Sequence, residues 1–166
     1  MINVGIIGYG YWGPNLVRNF AENSEANVAC VADLDNKKLD LVQRRYPGIN
    51  VTENFQDLLE DPSVDAVVIA TPVSTHFELG MAALKADKHV WLEKPMTETS
   101  LQARQLIEES ERRQKVLFVD HTFVYTGAVR KMGDIIRNGE LGQVYYYDST
   151  RVNLGLFQHD VNVISD

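Results

Sequence analysis

Short runs of apolar residues alternate along this chain with longer stretches in which polar and apolar positions recur three to four residues apart. The apolar runs fall near 2–7, 27–32, 49–51, 64–70, 88–92 and 116–119, and the amphipathic stretches near 12–22, 36–46, 54–60, 75–86, 99–113 and 126–138. Strand–helix alternation of this kind predicts repeated βαβ units, hence an α/β protein with a parallel sheet wound on both faces. The run Val64-Asp65-Ala66-Val67-Val68-Ile69-Ala70 is nearly unbroken apolar, as a strand covered on both faces must be. From Ser100 to Gln114, Leu101, Arg104, Gln105, Glu108 and Glu111 fall on one side and Ala103, Leu106, Ile107 and Ser110 on the other, the pattern of a surface helix. After Asn138-Gly139 the pattern changes. Residues 143–152, rich in aromatic and β-branched side chains, predict one long strand that opens a second structural unit and belongs to a sheet of several strands.

Composition narrows the function classes without choosing among them. With 45% hydrophobic and 23% charged residues the chain has an ordinary globular balance, and its 166 residues suffice for one sizeable core and the beginning of a second. The net charge of −7, with no basic cluster longer than a pair such as Arg112-Arg113, argues against a nucleic-acid partner. Cys30, the only cysteine, lies in the second apolar run, where a buried small hydrophobe is expected rather than a nucleophile or metal ligand, and no metal is expected elsewhere. The N-terminus enters a strand at once, with no basic and apolar leader, and no segment approaches the ~18 apolar residues of a membrane span. A cytoplasmic protein with no membrane partner is the expectation.

The first chemical signal sits where the first apolar run ends. Ile2 to Ile7 leads into Gly8-x-Gly10-x-x-Gly13, and Asp33 follows Gly13 by 20 residues at the end of the second run. Gly8 makes the tight turn out of the strand, Gly10 lets backbone N–H groups approach a pyrophosphate, and Gly13 lets the following helix pack close to the strand. The pyrophosphate is then expected at the positive end of the helix that begins near Tyr11 and Trp12. Asp33 places a carboxylate where ribose hydroxyls donate, and no arginine follows it at once, although Lys37 and Lys38 begin the next helix. Repulsion between Asp33 and a 2′-phosphate predicts NAD in preference to NADP. The expected fold is therefore a Rossmann-type doubly wound sheet.

The second signal is Glu93-Lys94-Pro95, directly after His89-Val90-Trp91-Leu92. Ligands of doubly wound sheets bind outside the carboxyl ends of the strands, so Lys94 is expected at the same crevice as the glycine turn and Asp33, beside a reacting hydroxyl. The alternative is a solvated lysine at a strand end.

Four segments, Val4-Gly5-Ile6-Ile7-Gly8-Tyr9-Gly10, Ala70-Thr71-Pro72-Val73-Ser74-Thr75-His76, Ala83 through Pro95, and Gly139-Glu140-Leu141-Gly142, occur in the order and spacing of the Gfo/Idh/MocA family, and the chain resembles that family throughout. The resemblance implies an NAD(P)-dependent oxidoreductase acting on a sugar or cyclitol hydroxyl. It implies a Rossmann domain, 1–122, and the beginning of an α+β substrate domain, 123–166, whose sheet joins subunits of a homo-oligomer. Gly10 to Asn15 and Ser149 to Gly155 look most like the branch that handles nucleotide sugars. Carried onto this chain, the family pattern makes Lys94 a catalytic lysine and makes Thr71, Pro72, His76 and Glu93 neighbours of the cofactor's nicotinamide half. For His76 the alternative is a histidine at a helix start satisfied by backbone. His89, inside a strand, is expected to be structural; His121 and Arg151 are candidate substrate contacts; His159 has no assignable role. The resemblance also suggests a cis Lys94–Pro95 bond.

The chain departs from the family in length. Members run to about twice its size and carry an Asp-x-x-x-His motif whose histidine works with the lysine as acid and base. Asp166 falls on the aspartate of that motif and is the last residue, so an incomplete member is expected. That leaves a second reading, a non-catalytic NAD-binding module. A third, an S-adenosylmethionine site on the same strand–turn–helix, fits the Glu-Lys-Pro constellation poorly.

Overall fold

In the computed structural model, which describes residues 1–150, each of the six apolar runs of the first 120 residues is a strand of one sheet. The strands are β1 (Ile2–Ile7), β2 (Ala26–Ala32), β3 (Asn50–Thr52), β4 (Ala66–Ile69), β5 (His89–Leu92) and β6 (Leu117–Val119), all parallel, in the order β3-β2-β1-β4-β5-β6. The chain starts in the middle of the sheet, winds outward to β3, returns to the other side of β1 and winds outward again to β6. Between strands run α1 (Gly13–Ala21), α2 (Asn36–Arg45), α3 (Gln56–Glu60), α4 (Val73–Lys85) and α5 (Ser100–Arg113).

Strand alternation divides the core into two layers. Ile6, Val31 and Val68 pack with Leu16 and Val17 of α1 and Val42 of α2. Their neighbours in sequence, Ile7, Ala32, Val67 and Ile69, pack with Leu58 of α3, Leu84 of α4 and Leu106 of α5. The sheet is thus covered by α1 and α2 on one face and by α3 to α5 on the other, which is why its strands read as continuous apolar runs.

Helix α5 starts at a capping box in which the Thr99 hydroxyl accepts from the Gln102 N–H and the Gln102 amide oxygen accepts from the Thr99 N–H. Its buried stripe is narrower than the sequence implies: Leu106 and Ser110 are buried, but Ile107 is exposed.

The described chain divides into two compact units, Met1–Asp120 and the residues from His121 onward. The second contains a 3-10 turn (Thr122–Tyr125) and α6 (Gly127–Arg137), and none of its described residues is fully buried. The long strand expected over 143–152 does not form at residues 143–150, which carry no regular structure, and residues 151–152 lie outside the described residues. A β-branched and aromatic run becomes a strand only against a neighbour that takes its N–H and C=O groups, and the described residues offer it no such neighbour.

Candidate functional site

The sheet reverses its winding direction between β1 and β4, and the carboxyl ends of these two strands open a cleft of about 710 Å³. Gly8, Gly10, Ala32, Asp33, Thr71 and Pro72 line it, together with Lys38 and Thr75. This is the topological switch point, where the diverging connections leave room for a ligand.

The three glycines are placed for different reasons. Gly8 has φ +97°, and a Cβ on it would lie 2.6 Å from the carbonyl oxygen of Ala70, at the end of the neighbouring strand. A Cβ on Gly13 would lie 2.5 Å from the Gly8 carbonyl oxygen, so the first turn of α1 sits directly against the strand end. A Cβ on Gly10 would meet nothing within 4 Å. Its backbone is open to the cleft. No side chain caps α1, whose N-cap is Trp12; Pro14 brings no N–H to its first turn and the Asn15 N–H turns back to the Trp12 carbonyl, so the positive end of the helix faces a ligand through the backbone at Gly13 and the turn before it.

Asp33 holds the other wall. Its carboxylate accepts the Tyr9 N–H at 2.7 Å and the Asp35 N–H at 2.9 Å, which ties the end of β2 to the glycine turn. Lys38 folds back from α2 and places Nζ 3.3 and 3.4 Å from the two carboxylate oxygens. Lys38 is one of the two lysines that begin the helix after Asp33 in the sequence, and its place in the first turn of α2 brings it, and not Lys37, to the carboxylate. Asp33, Asp35, Glu53 and Glu78 give the cleft four carboxylates against Lys38 among its lining residues.

The third wall is the turn after β4. The Thr75 hydroxyl donates to the Pro72 carbonyl at 2.8 Å, so in the 2.7 Å contact between Thr71 and Thr75 hydroxyls the Thr71 group is the donor. His76 lies behind this turn and not in the cleft: it is 1% exposed, with Nε2 2.9 Å from the Thr71 carbonyl oxygen and Nδ1 2.9 Å from that of Pro95. His76, expected as a neighbour of the nicotinamide half, thus sits behind the Thr71–Pro72 turn as a helix-start histidine held by backbone: a ring N–H donates to one of the two carbonyls, and to both only when both nitrogens carry hydrogen.

Glu93 and Lys94 follow β5 at the same edge of the sheet, outside the cleft lining, and the Lys94–Pro95 bond is cis as expected. Burial pushes the Glu93 carboxyl above its ordinary value, and Asp120 at the end of β6 adds to the shift; the Lys94 N–H and charge oppose it. Tyr11 and Trp12 project from the glycine turn with their rings edge to face, centroids 5.5 Å apart, and both are exposed. His89 accepts the Val116 N–H at Nδ1, an internal structural bond. Burial, with Asp57 and Asp61 adding, pushes the Cys30 thiol up to about 11. His121 opens the second unit, while Arg151 and Asp166 lie outside the described residues. Among the described residues there is no cluster of metal-ligating side chains and no helix long and apolar enough to cross a membrane.

Residues 2–121 match the model of the Gfo/Idh/MocA oxidoreductase family, NAD-binding Rossmann fold. The chain belongs to this family. It is 35% identical over 149 residues to the oxidoreductase YdgJ of Escherichia coli, covering 89% of this chain and 42% of the relative. It is 28% identical to a myo-inositol 2-dehydrogenase of Thermotoga maritima, covering 86% of this chain and 42% of that one. Among solved structures, GenD2 from gentamicin A biosynthesis in complex with NAD superposes with a TM-score of 0.77 at 28% identity, covering 84% of this chain and 40% of GenD2. The chain spans about two fifths of the length of the curated relatives it matches.

Proposed function

We propose that the cleft between the ends of β1 and β4 holds NAD, and that the chain is the cofactor-binding part of a dehydrogenase acting on a sugar hydroxyl, with nucleotide sugars the substrate class. The observation that carries this reading is the pairing of an open Gly10 with a closed Gly8 and Gly13. The turn is tight wherever the fold needs it and empty only where a ligand's phosphates approach an uncapped helix. Asp33 takes the adenosine ribose hydroxyls, and the carboxylates around it disfavour a further phosphate, which makes NAD the preferred form over NADP. Thr71 and Pro72 line the nicotinamide end.

Nicotinamide, when bound, supplies a hydride acceptor for a carbinol carbon. The residues of this chain orient and deprotonate. Lys94 takes the hydroxyl proton onto its amine as the catalytic lysine, and Glu93, held at the same strand end, faces that pocket. Residues 123–166 open the substrate domain, with Arg151 in it and His121 just before it as substrate contacts, Asp166 as partner of the acid–base pair, and the sheet of that domain as the contact between copies of a homo-oligomer.

Calorimetric titration of the chain with NAD(H), NADP(H) and nucleotide sugars tests the reading. Saturable binding of NAD(H), lost on Gly10→Val without a drop in melting temperature, is the expected result. No binding of either dinucleotide would overturn it. The 166 residues alone are expected to bind without turnover; in a version that carries the whole substrate domain, formation of NADH with sugar nucleotides would favour the enzyme, and binding without turnover would favour the non-catalytic module.

A further inference from the structure

The end of the sheet leaves two carbonyls that no strand can pair. β4 stops at Ile69 and β5 at Leu92, and the chain then runs on as Thr71–Pro72 beside the cleft and as Glu93-Lys94-Pro95 beside it on the next strand. Carbonyls beyond a ladder that are partly shielded from solvent need donors from elsewhere. One side chain meets both: the His76 ring, buried in α4, faces the Thr71 carbonyl with one nitrogen and the Pro95 carbonyl with the other, each at 2.9 Å. A phenyl or leucyl group would fill that space with no bond to either segment. A carbonyl only accepts, so a ring with one N–H donates to one segment and a ring with two donates to both; in either form the rigid planar ring spans the gap between the two segments as a spacer would.

We infer that His76 is a positioning residue that couples the cofactor turn to the catalytic segment: it sets Thr71–Pro72 and Glu93-Lys94-Pro95 relative to each other and thereby where Lys94 meets the nicotinamide end of the cleft. This rests on the NAD reading of the cleft and adds to it a residue that never touches the cofactor. The Thr71–Thr75 and Thr75–Pro72 hydrogen bonds hold the same turn from within α4, so His76 is the element of this cluster that reaches across to the β5 segment.

The consequence is selective. The adenosine and pyrophosphate sites rest on Gly10, α1 and Asp33, none of which His76 touches, whereas the nicotinamide site rests on the two segments it joins. ADP-ribose fills the first set alone and NADH fills both. The test compares the two ligands on the 166-residue chain and on His76→Leu and His76→Gln, with melting temperature and the emission of bound NADH recorded alongside. His76→Leu is expected to weaken NADH about three- to tenfold, the worth of one to two hydrogen bonds, with ADP-ribose changed less than about twofold and bound-NADH emission moved toward that of free NADH. His76→Gln, whose amide still donates to a carbonyl, is expected to recover part of the loss but to retain an NADH-specific deficit of at least about twofold. If His76→Leu does not fold, the ligand ratio of His76→Gln decides. Equal losses for both ligands, or an unchanged ratio in a folded variant, would overturn the inference. Failure of the unmodified chain to bind ADP-ribose would instead overturn the cofactor reading on which it rests.

Discussion

Gly8, Gly10 and Gly13 share a residue type and a motif but not a physical role, and substitutions should separate them. Gly13→Ala drives a Cβ onto the Gly8 carbonyl and is expected to cost about 1–3 kcal/mol, seen as a lower denaturation midpoint. Gly10→Ala meets no protein atom; its stability should hold or rise by up to about 1 kcal/mol while NAD affinity falls at least tenfold. Equal thermal destabilisation by the two would show that the turn is not built around a ligand. Asp33 and Lys38 form the second residue-scale test. Asp33→Asn should raise the NADP-to-NAD affinity ratio about five- to tenfold, and Lys38→Ala should lower it, because a 2′-phosphate loses its repulsion in one case and its cation in the other. Glu93 provides a pH test. Its carboxyl is raised in the folded state, so the native protein holds this proton more tightly than the unfolded chain; the associated stability is complete below the ordinary glutamate value and is lost as pH rises through the folded value. Glu93→Gln should therefore stabilise the protein at neutral pH and above and lose that advantage in acid, as followed by melting temperature from pH 4 upward; a constant difference would contradict the assignment. The glycine turn and Asp33 were legible as spacing. The Lys38 contact and the placing of His76 between two carbonyls were not, because both depend on which way a side chain leaves its helix.

At the scale of elements, the apolar runs were read correctly to within two residues because strands covered on both faces leave no room for polar positions, and Ala66–Ile69 is the plainest example. The run over 143–150 reads just as strongly and forms no strand among the described residues. The difference is not in the run but in its neighbours: β4 is flanked by β1 and β5, and pairing partners leave no trace in the local pattern. Helix ends show the same limit. Thr99 and Gln102 announce the start of α5, but its end is set by Gln114 in the left-handed region at φ +56°, which nothing in the residue type foretells. Gln114→Gly should remove that conformational cost and raise stability by up to about 1 kcal/mol, measured by urea denaturation; a loss of stability would mean that the Gln114 side chain contributes more than its backbone costs.

At the scale of the whole molecule, every described residue that lines the cleft lies before residue 121. The lining runs from Ile7 to Leu79, the His76 spacer reaches no further than Pro95, and both layers of the core are built from residues 4 to 117. The sheet ends in two three-residue strands, β3 and β6, short enough to discourage pairing with other chains. Residues 121–150 contain no fully buried side chain, and Tyr145, Tyr146 and Tyr147 are 82%, 86% and 78% exposed. Cooperative stability follows buried apolar area, so it should reside in the first unit alone. A chain ending at Asp120 is therefore expected to unfold in a single transition within about 5 °C of the 166-residue chain and to bind NAD(H) with the same affinity within about threefold. Mild proteolysis of the longer chain should give the same core, with cuts beginning after Asp120. If the shorter chain melts far lower or loses the dinucleotide, the residues beyond 120 contribute to the cofactor site, and the division of labour between the two units would have to be redrawn.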